Sequence, residues 1–482
     1  MQDPAKNAAD FDLIVIGAGP AGENAADYAA RAGLSAAIVE SELVGGECSY
    51  WACMPSKALL RSGKALLRSG QALDAARRLP GAQQALTGSL DAPAVLARRD
   101  AFTSGWKDDG QVKWLESAGI TLLRGRGRLA GERTVQVGEQ AYTARAVVLA
   151  TGSAPALPPI HGLADAEPWG TREATSAQQV PARLIVIGGG VAGTEMAFAY
   201  GSLGAQVTVL ARGRLLGSEE PHAGDLVARA LQARGVDVRE GATPARVDRG
   251  PDGVVSVQLE DGAVLQAEEL LVSTGRKPNT AGLGLEELGI AAAALREVDD
   301  TLLVPGTDWL YAVGDVNSRA LLTHQGKYQA RAAGAAIAAR LTGRPLAAGP
   351  WGAHAATADH GAVPRVVFSD PQVAAVGLTE RQAREQGLDI AVVEHDLGSV
   401  AGASLHSDGY AGRATLVIDR DRSVVLGATF VGQDVAELLH AATVAVAGQV
   451  PLDRLWHAVP AYPTISEIWL RLLEDYFYPQ PL

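Results

Sequence analysis

The chain has 482 residues, with 42 basic and 54 acidic side chains and a net charge of −12. At about 100–200 residues per domain this length indicates about three domains, and a hydrophobic content of 47% suits packed cores rather than disorder. The acidic balance argues against a nucleic-acid or anionic-membrane surface, because phosphate groups need a positive field. Two cysteines cannot crosslink a chain of this size, which excludes a disulfide-framework secreted protein. Neither a signal peptide nor an apolar run of about 20 residues is visible, so we expect a soluble cytoplasmic protein.

Two strand–helix–strand patterns occur in the chain, the first within 11–39 and the second within 183–210. Each begins with a short apolar run, at 11–16 in the first pattern and 183–187 in the second, that is typical of a buried parallel strand and ends in a glycine turn. A helical stretch follows at 20–31 and at 191–203, a glycine ends it, and a further apolar run predicts the next strand. We interpret the two patterns as two copies of one nucleotide-binding unit rather than as a short-period repeat.

The remaining segments indicate how the chain divides into domains. Polar and apolar residues alternate around glycines at 121–142, which predicts hairpin strands. The apolar run at 146–150 predicts a buried strand, and a Pro-rich segment that crosses to the next domain follows it. Residues 274–279 mirror that crossing, and strand-like and helical stretches alternate beyond Pro350. The expected fold class is α/β, with two Rossmann-like nucleotide-binding domains and a C-terminal α+β domain. The predicted bounds are 1–152 and 281–349 for the first domain, 153–280 for the second and 350–482 for the third.

The first glycine turn carries the fingerprint Gly17-x-Gly19-x-x-Gly22, and Glu40 ends the second strand. In such a turn one glycine makes the bend, one lets a pyrophosphate approach, and one allows close helix–strand packing. The helix N-terminus then faces the phosphates, and Glu40 is placed to accept hydrogen bonds from ribose hydroxyls. A lone fingerprint is weak evidence, but here the strand, the helix and the acidic residue all occur at the expected spacing.

The second fingerprint differs at the position where the ribose would bind. Its glycines are Gly188, Gly190 and Gly193. Ala211 replaces the strand-end acid, and Arg212 and Arg214 follow it. A carboxylate there would repel a 2′-phosphate, whereas guanidinium groups bind it through charge-assisted hydrogen bonds. The sequence therefore favours NADPH over NADH; the alternative is that both arginines simply solvate the end of a strand.

The two cysteines, Cys48 and Cys53, lie in the segment that follows the first nucleotide-binding unit. Five residues of ideal helix rise about 7.5 Å, too far for a disulfide, whose Cα atoms lie about 4.4–6.8 Å apart. A bonded pair therefore requires an irregular turn before the helix predicted at 57–67, and a short strained loop suits a bond that opens and closes. Two inert thiols are an alternative. No second cysteine pair is present to complete a zinc site, so we expect no metal.

Further motifs accompany this pair: C-x4-C-x-P-S-K, Ala150-Thr151-Gly152, Thr274-Gly275-Arg276-x-Pro278-Asn279 and Gly314-Asp315. Together with the two fingerprints they make nearly the whole chain resemble the flavoprotein pyridine nucleotide–disulfide oxidoreductases, which include lipoamide dehydrogenase, glutathione reductase and mercuric reductase. The resemblance implies a homodimer with FAD in the first nucleotide-binding domain, a pyridine nucleotide in the second and a C-terminal interface domain.

The resemblance also implies roles for individual residues. Cys53 matches the thiol beside the flavin, and Cys48 matches the interchange thiol that attacks substrate. Lys57 matches the lysine near flavin N5 and Glu195 its ion-pair partner, which agrees with the need of a buried ammonium for a counter-charge. Asp315 matches the aspartate that binds the ribityl chain. Together with the fingerprints, the expected cofactor contacts are Gly17, Gly19, Gly22, Glu40, Thr151, Gly152, Gly314 and Asp315 for FAD, and Gly188, Gly190, Gly193, Arg212, Arg214, Gly275 and Arg276 for NADPH.

The chain departs from the family pattern at two places. Disulfide-reducing members carry His-Pro-Thr-x-x-Glu near the C-terminus, and here Tyr462 replaces the histidine while Glu467 is retained. An unperturbed tyrosine has a pKa near 10 and is a poorer proton shuttle at neutral pH than imidazole, so Tyr462 is either a catalytic hydrogen-bond donor or an interface aromatic. Tyr50 and Trp51 add bulk between the cysteines, where they either pack in the core or face an acceptor.

These features leave more than one function open. The first interpretation is an NADPH-dependent reductase of a small disulfide, favoured by the cysteines, Lys57 and Glu195. The second is an NAD(P)H:acceptor reductase acting on a quinone, dye, metal ion or oxygen, favoured by Tyr462. A non-enzymatic redox sensor is the least favoured interpretation, because such a protein would not need the complete set of residues for electron transfer from a nicotinamide to the cysteines. The extra C-terminal thiol pair of mercuric reductase and large thioredoxin reductases is missing, which disfavours those two activities.

Overall fold

The computed structural model describes residues 9–61, 90–406 and 409–479. The helix predicted at 57–67 is described up to residue 61, and the rest of that prediction lies outside the described residues. In chain order the strands are β1 Phe11–Ile16, β2 Ala36–Glu40, β3 Thr121–Arg124, β4 Gly127–Gly131, β5 Thr134–Val137, β6 Gln140–Leu149, β7 Ser153–Pro155, β8 Arg183–Ile187, β9 Gln206–Ala211, β10 Asp237–Glu240, β11 Pro244–Arg249, β12 Val255–Leu259, β13 Val264–Ala267, β14 Glu269–Val272, β15 Arg276–Pro278, β16 Leu310–Ala312, β17 Pro364–Val367, β18 Gln372–Gly377, β19 Ile390–Asp396, β20 Arg413–Asp419 and β21 Val424–Gly432.

The helices account for most of the remaining regular structure. In chain order the α-helices are α1 Pro20–Arg31, α2 Gly46–Tyr50, α3 described over 53–61, α4 Ala92–Phe102, α5 Asp109–Ser117, α6 Thr171–Ser176, α7 Val191–Ser202, α8 Pro221–Gln232, α9 Thr323–Thr342, α10 Glu380–Glu385, α11 Ala401–His406, α12 Leu439–Ala447, α13 Leu452–Leu455 and α14 Ile468–Phe477. Short 3₁₀ turns join several of them, and the one at Gly314–Asn317 precedes α9. No helix of the described segments is long and apolar enough to cross a membrane.

The described residues fall into two units. The first comprises the described parts of Met1–Met54, Asp100–Pro155 and Arg276–His360, and the second those of Pro55–Arg99, Ala156–Gly275 and Gly361–Leu482. Each predicted nucleotide-binding pattern therefore lies in a unit of its own. The predicted domain bounds remain a sequence-based division.

Unit 1 is built around a parallel sheet in the order β3-β2-β1-β6, with β16 pairing with β6 and the antiparallel β4–β5 extending the same sheet. The apolar run of β1 buries Leu13, Ile14 and Val15 completely, as a strand covered on both faces should. Helix α1 begins with Pro20 at its first position and ends before Gly33, whose positive φ of 88° ends the helix. Helix α9 packs against α1, and Gly334 permits the close approach because an added Cβ would lie 2.9 Å from the Ala25 carbonyl oxygen.

The described part of unit 2 contains three sheets. The parallel sheet β10-β9-β8-β14 repeats the architecture predicted for the second nucleotide-binding unit, and the antiparallel β11-β12-β13 follows it in the same unit. The C-terminal part forms the antiparallel sheet β17-β18-β21-β20-β19, with α12 and α14 packed on it. The α/β fold class and the C-terminal α+β region predicted from the sequence are confirmed.

Candidate active site

The glycine turn of unit 1 shows why each fingerprint position needs a glycine. Gly17 has a φ of 104°, and a Cβ at Gly22 would lie 1.9 Å from the Gly17 carbonyl oxygen. Gly19 caps α1, and a Cβ there would meet nothing within 4 Å. Two of the glycines are therefore required by backbone packing, and the third leaves open space at a helix N-terminus. That arrangement fits the pyrophosphate of a dinucleotide.

Glu40 is already held by the backbone around the turn. Its Oε2 accepts a hydrogen bond from the Ala18 amide at 2.8 Å, and its Oε1 accepts one from the Glu42 amide at 2.7 Å. A carboxylate has about four acceptor sites. Glu40 therefore keeps capacity for ribose hydroxyls while its orientation is fixed.

The two predicted crossing segments pair with each other in unit 1. Strands β7 and β15 are antiparallel, and Thr151 Oγ1 donates a hydrogen bond to the Asn279 carbonyl at 2.7 Å. Ser153 Oγ donates to Asp315 at 2.5 Å, and the Arg276 guanidinium donates to Ser153 Oγ and to its carbonyl, each at 2.6 Å. The predicted FAD residue Asp315 is thus positioned by the side chain of Ser153.

Arg276 occupies a different place from the other residues expected to contact NADPH. It lies in unit 1, where its guanidinium is 3.7 Å from Asp315 and 3.7 Å from Glu47. The second fingerprint lies in unit 2. The neighbours of Arg276 are therefore residues of the first nucleotide site, and its contact with NADPH remains a prediction.

The cysteine segment is irregular, as the spacing requires. Cys48 lies in the short helix α2, the helical path breaks at Trp51 and Ala52, and Cys53 opens α3. The two cysteines are not joined by a disulfide, and both are partly buried. A hydrogen bond with Cys53 and burial raise the pKa of the Cys48 thiol.

A threonine from a distant part of the chain contacts this dithiol. Thr323, the first residue of α9, places Oγ1 3.2 Å from Cys53 Sγ. The same hydroxyl interacts with Cys48 and lowers the pKa of its thiol, against the larger opposing effects of Cys53 and burial. The hydroxyl is therefore a partner for a sulfur that carries negative charge.

The aromatic pair between the cysteines divides into one core residue and one partly exposed residue. Tyr50 is 1% exposed, and its hydroxyl donates to the Lys107 carbonyl at 3.3 Å. Trp106 Nε1 donates to the Tyr50 carbonyl at 3.2 Å. Burial, and secondarily Asp108, raise the pKa of Tyr50 to about 12. Tyr50 is a packed core residue, while Trp51 stays partly exposed, with its ring 5.7 Å from that of Tyr50.

The predicted ion pair of Lys57 and Glu195 is formed in unit 2. Lys57 Nζ lies 2.7 Å from Glu195 Oε2, and Glu195 is 3% exposed. The second oxygen, Oε1, accepts a hydrogen bond from the Phe368 amide at 2.9 Å, and the ring of Phe368 lies 4.9 Å from Nζ. The carboxylate is thus satisfied at both oxygens, and the ammonium is additionally stabilised by an aromatic face.

The second glycine turn repeats the geometry of the first. A Cβ at Gly193 would lie 2.2 Å from the Gly188 carbonyl oxygen, whereas a Cβ at Gly190 would meet nothing within 4 Å. Gly190 also caps the following helix α7. Unit 2 therefore offers a second open helix N-terminus for a dinucleotide.

The two arginines after β9 are not equivalent. Ala211 is buried at the strand end, Arg212 is exposed, and Arg214 forms an ion pair with Asp225. Arg212 forms no ion pair with any residue in the described part of the chain. Of the two predicted 2′-phosphate ligands, Arg212 is therefore the more available.

Tyr462 and Glu467, the two predicted residues of the C-terminal segment, differ in their exposure. Tyr462 is 78% exposed in the isolated chain, whereas Glu467 is 8% exposed at the start of α14. Arg471, one turn along, donates to Glu467 Oε1 at 2.6 Å, and Glu467 Oε2 has no hydrogen-bond partner within the described residues. Glu467 is thus paired with an arginine of its own helix, which the sequence analysis did not anticipate.

Sequence reasoning also missed two residues that act on the dithiol, Thr323 and Lys327, and a third, Glu23, that lines a pocket with Lys327. Thr323 carries no local signal that relates it to a cysteine 270 positions away. Glu23 was visible as a charged residue in the first turn of an Ala-rich helix, and Lys327 as the residue one turn after Thr323. Their positions in the fold, however, follow only from the packing of α9 against α1.

The comparisons with known proteins agree with this geometry. The family described as pyridine nucleotide-disulphide oxidoreductase matches residues 11–337, and its dimerisation domain matches residues 363–472. The chain belongs to this family. The resemblance inferred from the motifs is therefore confirmed.

Individual relatives cover nearly the whole chain. Mercuric reductase of Staphylococcus aureus is 31% identical over 96% of this chain and 83% of its own length. Dihydrolipoyl dehydrogenase of Chlorobaculum tepidum is 32% identical over 97% of both chains. The structure of a flavoprotein disulfide reductase, RclA from Escherichia coli, superposes with a TM-score of 0.80 at 24% identity, covering 96% of this chain and 99% of that one, which shows a shared fold.

Family membership settles the class of chemistry. The protein is a flavoprotein disulfide oxidoreductase, an enzyme that uses FAD and NAD(P)H to reduce a small-molecule acceptor. The residues around the two open helix N-termini fit these two nucleotides. FAD supplies the hydride-accepting and electron-donating chemistry when it is bound.

Proposed function

We propose that the enzyme transfers electrons from NADPH through FAD to the Cys48–Cys53 pair and then to a small organic disulfide. The observation that carries this proposal is the hydrogen bond between the two thiols, with the Thr323 hydroxyl 3.2 Å from Cys53 Sγ. Two thiols that share a hydrogen bond are neighbours, and neighbouring sulfurs are what a dithiol–disulfide redox couple requires.

The chemistry at the sulfurs follows the ordinary route of thiol–disulfide exchange. The Cys48 thiolate attacks the acceptor disulfide, a mixed disulfide forms at Cys48, and the first acceptor thiolate leaves and takes up a proton. The Cys53 thiolate then attacks the Cys48 sulfur and releases the second acceptor thiol. Overall, NADPH, one proton and one disulfide give NADP⁺ and two thiols.

Lys57 and Glu195 are proposed as the cationic pair of the flavin site. The contacts of Glu195 support this role. One carboxylate oxygen accepts the Phe368 amide hydrogen bond, which orients the carboxylate, and the other oxygen holds the ammonium of Lys57 in one place. A fixed positive charge stabilises negative charge that develops on a reduced flavin or on a neighbouring thiolate.

The preference for NADPH is proposed to rest mainly on Arg212. Its exposure beside the buried Ala211 supports this, whereas Arg214 is already engaged by Asp225. We further propose that the protein is a cytoplasmic homodimer. The dimerisation domain at 363–472 and the outward position of Tyr462 support the dimer.

Anaerobic titration tests the disulfide route. NADPH should reduce the FAD-loaded enzyme by four electrons per FAD and give a long-wavelength band from a thiolate beside the flavin. Cys48→Ser should retain the flavin but lose at least about 99% of the turnover of lipoamide, cystine or glutathione disulfide, because the attacking sulfur is gone. Ser49→Ala, which changes the neighbouring side chain, is the matched control and should retain turnover. Full disulfide turnover by Cys48→Ser would refute the proposal.

A second candidate is an NAD(P)H:acceptor reductase that passes electrons to a quinone. The absence of an imidazole at Tyr462 favours it, since direct electron transfer to a quinone does not require a base beside Cys48. Wild-type enzyme that ignores all three disulfides and reduces quinones at the same rate with or without Cys48 would establish this second function instead.

A further inference from the structure

Unit 1 contains a pocket that none of the predicted site residues accounts for. Its volume is about 310 Å³. Its lining residues are Glu23, Asn24, Gly110, Gln111, Trp114 and Lys327. We call it the Glu23 pocket. Helices α1, α5 and α9 each contribute to it, so its walls are regular structure rather than loops.

Glu23 is the unusual member of this lining. Its Oε1 is buried and makes no hydrogen bond with any described residue. Burial raises the pKa of Glu23 to about 7, although the charge of Lys327 acts in the opposite direction, and the negative charge of Glu40 adds to the rise. An unpaired carboxylate in such a place is costly to the fold, and an exposed glutamate would avoid the cost. At neutral pH, Glu23 therefore exchanges a proton within the pocket.

Lys327, the positively charged residue of the pocket, also acts on the dithiol. Lys327 lies four residues after Thr323 on α9, so the two side chains share one face of that helix. Thr323 contacts Cys53 at 3.2 Å. The charge of Lys327 acts on Cys48 and lowers the pKa of its thiol, against the larger effects of Cys53 and burial. One helix face thus connects the Glu23 pocket with the reactive sulfurs.

The groups around the pocket define the electrostatic balance. The charged groups acting on Glu23 are Lys327 from α9 and Glu40 from the end of β2. Tyr50, whose pKa burial raises to about 12, stays neutral at physiological pH and is itself affected by Glu23. Within pH 6–8, Glu23 therefore changes its charge, whereas Tyr50 does not.

From this juxtaposition we infer that Lys327 is a positioning residue that stabilises the Cys48 thiolate, and that Glu23 is its switchable counter-charge. When Glu23 holds a proton, the ammonium acts undiminished on the sulfur. When Glu23 loses that proton, its carboxylate offsets the ammonium and disfavours a second negative charge at Cys48. The pair supplies from within the chain an influence on thiolate formation in an enzyme that lacks a histidine at position 462. This inference deepens the proposed disulfide-reductase function and rests on it for its catalytic meaning.

The test measures the thiol directly. Full-length FAD-loaded enzyme is reduced with dithiothreitol, desalted anaerobically and alkylated with iodoacetamide between pH 5.5 and 9.5, and mass spectrometry with fragmentation separates label on Cys48 from label on Cys53. In Lys327→Met we expect alkylation of Cys48 at pH 7 to slow by about threefold to tenfold, since one pKa unit changes the thiolate fraction tenfold. Lys327→Arg should restore the wild-type profile.

A second variant tests the role of Glu23 as the switchable counter-charge of Lys327. In Glu23→Gln, alkylation of Cys48 above pH 7 should be about threefold to tenfold faster than in wild type, and the inflection near pH 7 should vanish. Matched controls are Arg331→Met, an exposed charge one turn further along α9, and Glu116→Gln, an exposed charge on α5 outside the pocket lining. Both should leave the profile unchanged.

Two results would overturn the inference. One is a Lys327→Met or Glu23→Gln profile that superposes on the wild-type profile, and the other is an Arg331→Met effect as large as that of Lys327→Met. Because Glu23→Gln is nearly isosteric, it keeps the test decisive if Lys327→Met does not fold. Failure of the proposed function is distinguishable, because it leaves disulfide turnover absent while the alkylation profiles still respond to both charges.

Discussion

Removal of Glu195 offers the sharpest test of how the Lys57 ion pair is built. Glu195 is 3% exposed and Lys57 is 36% exposed, so the carboxylate is buried and the ammonium keeps part of its hydration. Breaking a fully buried pair by deleting one partner costs about 3–5 kcal/mol. The hydration of Lys57 and the ring of Phe368 at 4.9 Å reduce that cost, and we take about 2–3 kcal/mol for the ion pair here.

The backbone contact of Glu195 adds a second contribution. Its Oε1 accepts the Phe368 amide hydrogen bond at 2.9 Å, and an amide left unpaired costs about 1 kcal/mol or more. Glu195→Leu loses both contributions and should destabilise the protein by about 3–4 kcal/mol. Glu195→Gln keeps an acceptor for Phe368 and loses only the ion pair, so we expect about 2–3 kcal/mol.

Calorimetry distinguishes the two variants. At about 2 °C per kcal/mol for a domain of this size, Glu195→Leu should lower Tm by about 6–8 °C and Glu195→Gln by about 4–6 °C. Glu385→Leu is the matched control, because its partner Arg381 is 61% exposed and the pair should contribute at most about 0.5 kcal/mol. Equal Tm values for the Leu and Gln variants of Glu195 would refute the assignment of a structural role to the Phe368 contact.

Three further predictions concern the two nucleotide sites and the dithiol. Gly22→Ala places a Cβ 1.9 Å from the Gly17 carbonyl oxygen and should reduce the FAD retained after gel filtration, measured by absorbance at about 450 nm, to less than about a tenth. Arg212→Gln should lower the ratio of kcat/KM for NADPH to that for NADH by about tenfold or more, because one charge-assisted contact to phosphate is lost. Thr323→Val removes the hydroxyl 3.2 Å from Cys53 Sγ and should slow alkylation of Cys48 by about threefold at pH 7 in the assay described above.

Each of these predictions has a control of the same residue type. Gly119→Ala tests a glycine with positive φ but open space, and it should keep its FAD. Arg239→Gln removes a partly exposed arginine of β10 that pairs with Asp237 and should leave the nucleotide ratio unchanged. Thr342→Val alters the last residue of α9, far along the helix from the sulfurs, and should not affect alkylation. Full flavin content in Gly22→Ala, an unchanged ratio in Arg212→Gln or an unchanged rate in Thr323→Val would contradict the corresponding argument.

The framework of the fold could be predicted from the sequence because its signals are local. The apolar run of β1 and the Pro–Gly punctuation of α1 predicted both elements with the bounds that the structure shows. The second unit followed from the same pattern, with β8 also at its predicted bounds. Buried parallel strands and helix ends depend on residues within a few positions of each other, so a single sequence contains most of the information.

Contacts in the candidate site between residues far apart in the sequence were predictable only where a family motif, or the need of a charge for a counter-charge, related the two residues. Lys57 and Glu195 are 138 positions apart, and the need of an ammonium for a counter-charge, together with the resemblance, related them. The contact between Glu195 and the Phe368 amide spans 173 positions and had no signal, because any residue supplies a backbone amide. The pairing of Glu467 with Arg471 could have been foreseen, since the two are one helical turn apart.

The C-terminal departure and the Glu23 pocket concern the same chemical need. Thiol–disulfide exchange needs a group that favours the thiolate of the attacking cysteine near neutral pH, and imidazole does so because its pKa lies there. Position 462 provides a phenol instead, and Arg471 holds one oxygen of Glu467. In unit 1 the chain places a carboxyl with a pKa of about 7 and an ammonium in one pocket, and the ammonium lies on the face of α9 that also carries Thr323, the residue that contacts Cys53. Under the inference drawn above, therefore, the group that titrates near neutral pH and acts on the reactive sulfur comes from helices α1 and α9 and not from the C-terminal segment.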